Sequence, residues 1–308
     1  MSSVLESLPQ GGRVAVVRLR SMGDCILTTP ALTILKNARP DLRIAVVVES
    51  RFAELYENNP DIAEILPPDM RALRNWRPAL CLNLHGGRTS TRLTAFSGAR
   101  VRAGFAHFRF LAMYHVKIPR AQEILGVERK VHTAEHLASA MFYLGAPRME
   151  IGRASLFTAS ANARVEMPAP PYAVIHAGAS AAGKTWPAER FLDIASYLQE
   201  SLELEPVFIG GPGESLTAFR KWRTLSGAPL GEIKLLMARA ALFLGNDSGP
   251  AHMAAGFGLP TVVIFGASDP EIWAPWRTPS EVLVGSGGIT SVSVPHVRDA
   301  LGRLRVKA

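Results

Sequence analysis

The sequence predicts an α/β protein of two halves, each repeating strand and helix, and three observations carry that prediction. Short apolar runs of strand length alternate with segments whose apolar residues recur at helical spacing, first over residues 13–105 and again over 172–266. Residues 158–171 (TASANARVEMPAPP) break every periodicity, and their alanine and proline content marks a linker. Over 240–266 a strand, a polar turn, a short helix and a second strand follow one another directly. Such alternation gives parallel sheets, because parallel neighbours need a helical crossover. A chain of 308 residues exceeds the usual single-domain size, so two domains of about 150 residues are expected.

In the first half, Gly11-Gly12 leads into an apolar strand at 13–20, followed by the turn Ser21-Met-Gly-Asp24. Residues 25–38 place Ile26, Leu27, Ala31, Leu32, Ile34 and Leu35 at helical spacing until Pro40 ends the helix. Residues 44–48 are the next buried strand and close a βαβ opening. Further strands are read at 61–66, 79–84 and 101–105, separated by helical segments at 51–58 and 89–97. A helix at 131–144 carries His132, Glu135 and His136. Its two histidines, four apart, can share a face as zinc ligands do, but the HExxH order and a third ligand are missing.

The second half restarts the pattern. Residues 172–176 are a strand, 177–187 a loop and 188–202 an amphipathic helix. A strand at 206–209 enters the glycine loop Gly210-Gly-Pro-Gly-Glu214, and helices follow at 216–225 and 230–238. An apolar run at 240–244 reads as a buried strand bounded by Gly245. The turn Asn246-Asp247-Ser248-Gly249 then places Pro250 at a first helical position, 251–256 is a short helix, and 259–265 is the next buried strand. The tail, 294–306, is helical and basic.

Composition excludes several classes. With 48% hydrophobic and 19% charged residues the chain is globular. Cys25 and Cys81 form no CxxC pair, which argues against disulfides or a zinc site and suits a reducing compartment. The first ten residues lack a basic region followed by an apolar run, and no stretch approaches the roughly 18 apolar residues of a spanning helix. A cytoplasmic protein is therefore expected. The net charge of +8 is uneven: residues 1–155 hold 21 basic and 13 acidic groups, residues 156–308 hold 13 of each, and no acidic residue occurs between Arg71 and Arg120. That asymmetry is either a solvated surface or the mark of an anionic partner for the first half.

Several residues carry candidate chemistry. A turn between a strand and a helix, at the carboxyl edge of a parallel sheet, offers free backbone N–H groups and the helix dipole to an anion. Asp247, Ser248 and His252 would line that pocket; alternatively Asp247 or Ser248 caps the helix and His252 is a core histidine. Residues Gly178-Ala-Ser-Ala-Ala-Gly-Lys-Thr185 match the Walker A spacing after a strand, but Trp186-Pro187 interrupts the point where a P-loop helix already runs. What survives is a loop of small residues with Lys184 as a point charge for phosphate, or as a solvated lysine. Glu214, in the glycine loop, is placed to meet sugar hydroxyls. Asp24 stands at a helix start, where the dipole favours its ionised form, either as a structural residue or as a proton acceptor.

Together these stretches resemble glycosyltransferase family nine, whose best-known members are the ADP-heptose:lipopolysaccharide heptosyltransferases. The resemblance covers most of the chain. It rests on Arg18-Leu-Arg-Ser-Met-Gly-Asp-Cys-Ile-Leu-Thr-Thr-Pro-Ala-Leu32, Asn83-Leu-His-Gly-Gly-Arg88, Ile175-His-Ala-Gly-Ala-Ser180, Lys184-Thr-Trp-Pro-Ala-Glu-Arg-Phe191, Gly210-Gly-Pro-Gly-Glu214 and Gly245-Asn-Asp-Ser-Gly-Pro-Ala-His252. It absorbs the Walker-like loop. It implies a GT-B fold, two Rossmann-like domains facing a cleft, with an acceptor-binding domain at 1–157, a linker at 158–171 and a nucleotide-sugar domain at 172–293. The tail helix, 294–308, would cross back onto the first domain. It also implies an inverting transfer with no metal and no cofactor beyond the substrate ADP-heptose. Asp24 looks like the family's general base and Lys184 like its diphosphate lysine. Ser180, Glu214, Asp247, Ser248, Gly249 and His252 would hold the donor. Arg88, Arg92, Arg100, Arg102 and Arg109 are the candidates for an anionic glycolipid acceptor, with a peripheral contact to the inner membrane surface. The segment 211–233 is short for the family, which leaves the ribose and adenine contacts open.

Two other readings compete. A sugar-nucleotide epimerase of similar fold needs no acceptor site, and the basic first half counts against it. A nucleic-acid-binding protein would suit the charge, but no stacking platform or recognition-helix signature accompanies it, so no nucleic-acid partner is expected.

Overall fold

The apolar runs become two parallel sheets with the same internal order. The computed structural model describes residues 3–158, 166–179 and 181–304. The chain divides into two units, Met1–Phe157 and Thr158–Ala308.

In the first unit the strands are β1 (Arg13–Val17), β2 (Arg43–Val47), β3 (Glu64–Leu66), β4 (Leu80–Asn83), β5 (Val101–Phe105) and β6 (Val116–Ile118), in the order β3-β2-β1-β4-β5-β6. Every pair is parallel, with Val14 beside both Ile44 and Leu80. The central strands are buried on both faces, as a sheet covered by crossover helices requires. Those helices are α1 (Met22–Ala38), α2 (Met70–Trp76), α3 (Arg88–Ala95), α4 (Ala121–Leu125) and α5 (Thr133–Leu144). The region read as a helix at 51–58 is a 3-10 turn, Ser50–Leu55, and the strand read at 61–66 pairs only over Glu64–Leu66.

Helix α1 contains Pro30, which removes the N–H that would reach the carbonyl of Ile26. The Thr29 hydroxyl donates to that carbonyl instead, at 2.8 Å, and accepts from the Ser155 N–H at 2.9 Å. A helix interior thus tolerates proline because a neighbouring side chain satisfies the freed acceptor. Cys25 and Cys81 are buried, and burial pushes their thiols up to about 12 and about 11.

The second unit repeats the order. Its strands are β7 (Tyr172–His176), β8 (Glu205–Gly210), β9 (Arg223–Ser226), β10 (Leu242–Asn246), β11 (Thr261–Phe265) and β12 (Ser280–Val284), arranged β12-β11-β10-β7-β8-β9. Its helices are α6 (Ala188–Leu202), α7 (Leu230–Arg239), α8 (Gly249–Phe257), α9 (Pro270–Trp273) and α10 (Val294–Arg303). One expectation is corrected here. Residues 216–225 are not a helix: a 3-10 turn, Thr217–Phe219, precedes β9, which pairs with β8 from Val207↔Arg223 to Gly210↔Ser226. Phe219 stacks on Phe208 at 4.2 Å and draws the segment onto the sheet, so tertiary pairing overrides the local helical pattern. In the described part of the tail, α10, Val297, Ala300, Leu301 and Leu304 are buried in the same core as Trp186, Phe191, Val262 and Ile264. Its apolar stripe finds α6 and β11, which lie in its own unit.

Candidate active-site residues at the two sheet edges

In each sheet the order reverses beside the first strand, between β1 and β4 and between β7 and β10. Loops leaving adjacent strands at such a switch point diverge and open a crevice at the carboxyl edge.

At the first edge, Asp24 is the third residue of α1. Its Oδ2 accepts from the Ser21 hydroxyl at 3.0 Å and from the Ser21 N–H at 3.4 Å, half of a capping box. Its Oδ1 accepts from Arg18 Nη1 at 3.2 Å. Arg18 leaves the end of β1 and is only 6% exposed, so this guanidinium is held within the protein. His85, in the turn between β4 and α3, shares this field. Burial first, then the Arg18 and Arg20 guanidiniums, lower its pKa, while Asp24 opposes them. Arg18 Nε and His85 Nδ1 are buried with no hydrogen-bond partner among the described residues. The structure therefore assembles a carboxylate, a buried guanidinium and an imidazole around one helix start.

The five candidate arginines separate. Arg88 is the first residue of α3, a helix whose cap, Gly87, offers no side chain to its amino end. Arg109 follows β5 on the same sheet edge, and Arg92 lies in the last turn of α3; all three are exposed. Arg100 precedes β5, and Arg102 enters it beside Cys81, toward the opposite, amino edge. Arg102 donates to the Met113 carbonyl at 2.9 Å and meets His115 Nε2 at 2.7 Å. The structure thus does not bring Arg100 and Arg102 together with Asp24.

A cavity of about 650 Å³ in the same unit is lined by His107, Arg120, Gln122, Glu123 and His136. His136 stacks on Phe105 at 4.1 Å, and burial, with His107 and Arg18, pushes its pKa down to about 4. His132 does a different job: its Nδ1 accepts from the Ala134 N–H at 3.1 Å as the cap of α5. Among the described residues, no three His, Cys, Asp or Glu groups gather as a metal site would need.

At the second edge, the loop 177–187 leaves β7 and folds over the end of β10. Asn246 holds it at two points, accepting from the Trp186 N–H at 3.1 Å and donating to the Ala177 carbonyl at 2.8 Å. Trp186 is fully buried and donates to the Val292 carbonyl at 2.8 Å. The loop also presses on Gly266, where a Cβ would lie 2.1 Å from the Gly183 oxygen. A 3-10 turn, Ala182–Lys184, precedes α6, which begins only at Ala188. Lys184 is therefore not at a helix start, which removes the P-loop reading. Its Nζ pairs instead with Asp247 Oδ2 at 3.1 Å, and the same carboxylate accepts from the Ser268 hydroxyl.

Ser248 occupies the cap position of α8 but makes no capping bond. Its Oγ turns to His176 Nδ1 at 3.1 Å, while His176 Nε2 meets Glu214 Oε2 at 3.1 Å. Glu214 also accepts from the Gly211 N–H at 3.2 Å; the bond to His176, outweighing burial, lowers its pKa. Neither Asp247 nor Ser248 caps the helix, and the positive amino end of α8 beside Gly249 stays open to an anion. His252 is buried within α8 and packs edge-on against Trp273 at 6.2 Å. Ser180 lies outside the described residues. Sequence reasoning missed Arg18, His85, His176, Asn246 and Ser268 as site residues. The first four stand inside the quoted motif stretches, so motif membership was the available signal.

A family model described as glycosyltransferase family 9 (heptosyltransferase) matches residues 70–290. Lipopolysaccharide heptosyltransferase 1 of Pseudomonas aeruginosa is 27% identical, with 89% of this chain and 84% of that protein aligned. The glycosyl transferase family 9 structure from Veillonella parvula superposes with a TM-score of 0.81 at 23% identity, over 95% of this chain and 97% of that one. The E. coli heptosyltransferase WaaC, solved with ADP-2-deoxy-2-fluoro heptose, gives a TM-score of 0.75 at 19% identity, over 94% and 99%. The architecture shared with these structures is the GT-B fold.

Proposed function

The chain belongs to glycosyltransferase family 9, the heptosyltransferase family, and from that premise we propose an inverting transfer of heptose from ADP-heptose to an anionic glycolipid of the lipopolysaccharide inner core. The observation that carries the donor half is the open amino end of α8 beside the Lys184–Asp247 pair. The Gly249 N–H, the helix dipole and a lysine are available there to an anion, and the WaaC structure, of the same fold, carries an ADP-sugar analogue. Glu214 stands two strands' ends away from Ser248 through His176 and is the group for ribose hydroxyls.

In the first unit Asp24 is the base. It accepts the proton of the acceptor hydroxyl as that oxygen bonds to the anomeric carbon, and ADP departs from the opposite face. One carboxylate suffices for inversion. The charge growing on the diphosphate meets Lys184 and the amino end of α8, which supply the stabilisation a divalent cation gives elsewhere. Arg88, at the uncapped start of α3, and Arg109 are the groups for the acceptor's carboxylate or phosphate. A glycolipid acceptor places this chemistry at the cytoplasmic surface of the inner membrane.

Isothermal titration with ADP, UDP and GDP, in the presence of EDTA, tests the reading. Binding of ADP in preference to the others is the expected result. A preference for UDP or GDP would keep the transferase and discard the heptose donor, and binding of none would overturn the nucleotide-sugar assignment.

A further inference from the structure

His176 joins two groups that the donor reading uses separately, and the proton count at its ring constrains what they can do. It is 5% exposed, and both ring nitrogens are engaged, by Ser248 Oγ and by Glu214 Oε2, each at 3.1 Å. A neutral imidazole carries one N–H. An ionised carboxylate only accepts, so that proton belongs on Nε2 and points to Glu214. Nδ1 is then an acceptor, and the Ser248 hydroxyl must donate to it. In this state the one hydroxyl proton at the cap of α8 is spent inside the protein and is not offered to an anion.

Protonation reverses the order. With both nitrogens carrying hydrogen, Nδ1 donates to Ser248 Oγ, and the hydroxyl proton turns outward beside the amino end of α8. An anion there also favours the second positive charge on the ring. We propose that His176 is a positioning residue that takes up a proton when the nucleotide diphosphate binds, and so switches the Ser248 hydroxyl from donating inward to donating to the phosphate.

The charged surroundings agree with this direction. Glu214, from the loop after β8, favours the imidazolium in both states. Opposing it are the amino end of α8 and Lys184, whose charge Asp247 already balances at the end of β10. The diphosphate adds negative charge on the side where the opposition arises. Affinity gained this way is fully present at low pH, where free protein already holds the proton. It is lost as pH rises through the titration of the bound state.

This inference rests on the donor-site reading, and calorimetry of ADP binding separates the two. Titrations at one pH in buffers of different ionisation enthalpy give the protons taken up per ADP bound. For the native chain the expected result is a net uptake of protons on ADP binding, with affinity falling as pH rises. Both should vanish in His176→Gln, whose amide cannot titrate, and the uptake should fall in Ser248→Ala, which removes the relay but keeps the ring. Binding of ADP with no proton uptake, or with the same uptake in His176→Gln as in the native chain, would overturn the proposal while leaving the donor site intact. Failure of ADP to bind the native chain would overturn the donor reading first.

Discussion

The two units share one strand order, yet the connection leaving the first strand presents a carboxylate, Asp24, in one and a cation, Lys184, in the other. The helix after the first strand shows why. In the first unit the loop between β1 and α1 is only residues 18–21, so α1 starts at the sheet edge and its amino end is occupied by its own Asp24. In the second unit the loop runs over 177–187, α6 starts far from the edge, and the loop delivers Lys184 instead. The helices after the fourth strands are alike: α3 follows the cap residue Gly87 and α8 the cap residue Ser248, and neither receives a side-chain capping bond. A short loop thus turns a topological position into a fixed carboxylate and a long one turns it into a cation. Both units keep an open helix end nearby.

Removing the carboxylate breaks this comparison most severely. Asp24→Asn keeps the shape of the capping box but cannot accept a proton, so kcat should fall roughly 10²–10⁴-fold. ADP affinity should stay within about twofold, because Asp24 belongs to the other unit's chemistry. Single-turnover rates beside ADP titrations check both halves. A collapse of donor affinity with the rate would show that Asp24 shapes the donor site rather than serving as base.

Removing the cation comes next. Lys184→Ala should slow transfer roughly 10²–10³-fold, the scale of losing one preorganised electrostatic partner of a developing anion. It should also weaken ADP binding, because Asp247, which accepts from the Ser268 hydroxyl, then faces the diphosphate without the lysine. Asp247→Asn in the Lys184→Ala background should recover part of the affinity, since the repulsive carboxylate is then gone. Lys184→Ala with unchanged kcat and unchanged affinity would take the lysine out of the site.

Much of this was legible in the sequence, for identifiable reasons. Residues 172–176 and 188–202 match β7 and α6 because an apolar run and an amphipathic stripe act locally. Asp24, Lys184 and Asp247 stand out in the sequence because each lies in or beside a turn between elements of unmistakable period. β9 was not, since its reason for being a strand is Phe208 and the edge of β8, distant in the chain. The core that α10 joins was not legible either, because periodicity shows that a stripe is apolar and not which core receives it. His176 and Asn246 were read as the ends of strands; their partners, Glu214, Ser248, Ala177 and Trp186, come together only when the sheet forms.

The arginines sharpen the comparison with the smallest effect. Sequence treated Arg88 and Arg102 alike, whereas the fold puts Arg88 at the uncapped start of α3 and Arg102 toward the amino edge of β5. Arg88→Ala should raise the acceptor KM roughly tenfold, the worth of one charge-assisted hydrogen bond, with ADP affinity unchanged. Arg102→Ala should leave the acceptor KM within about twofold. It should cost only the bonds to Met113 and His115, about 1 kcal/mol of stability read by denaturant unfolding. The reverse order of KM effects would mean that the acceptor reaches the amino edge of the sheet, and the switch-point argument for the first unit would fail with it.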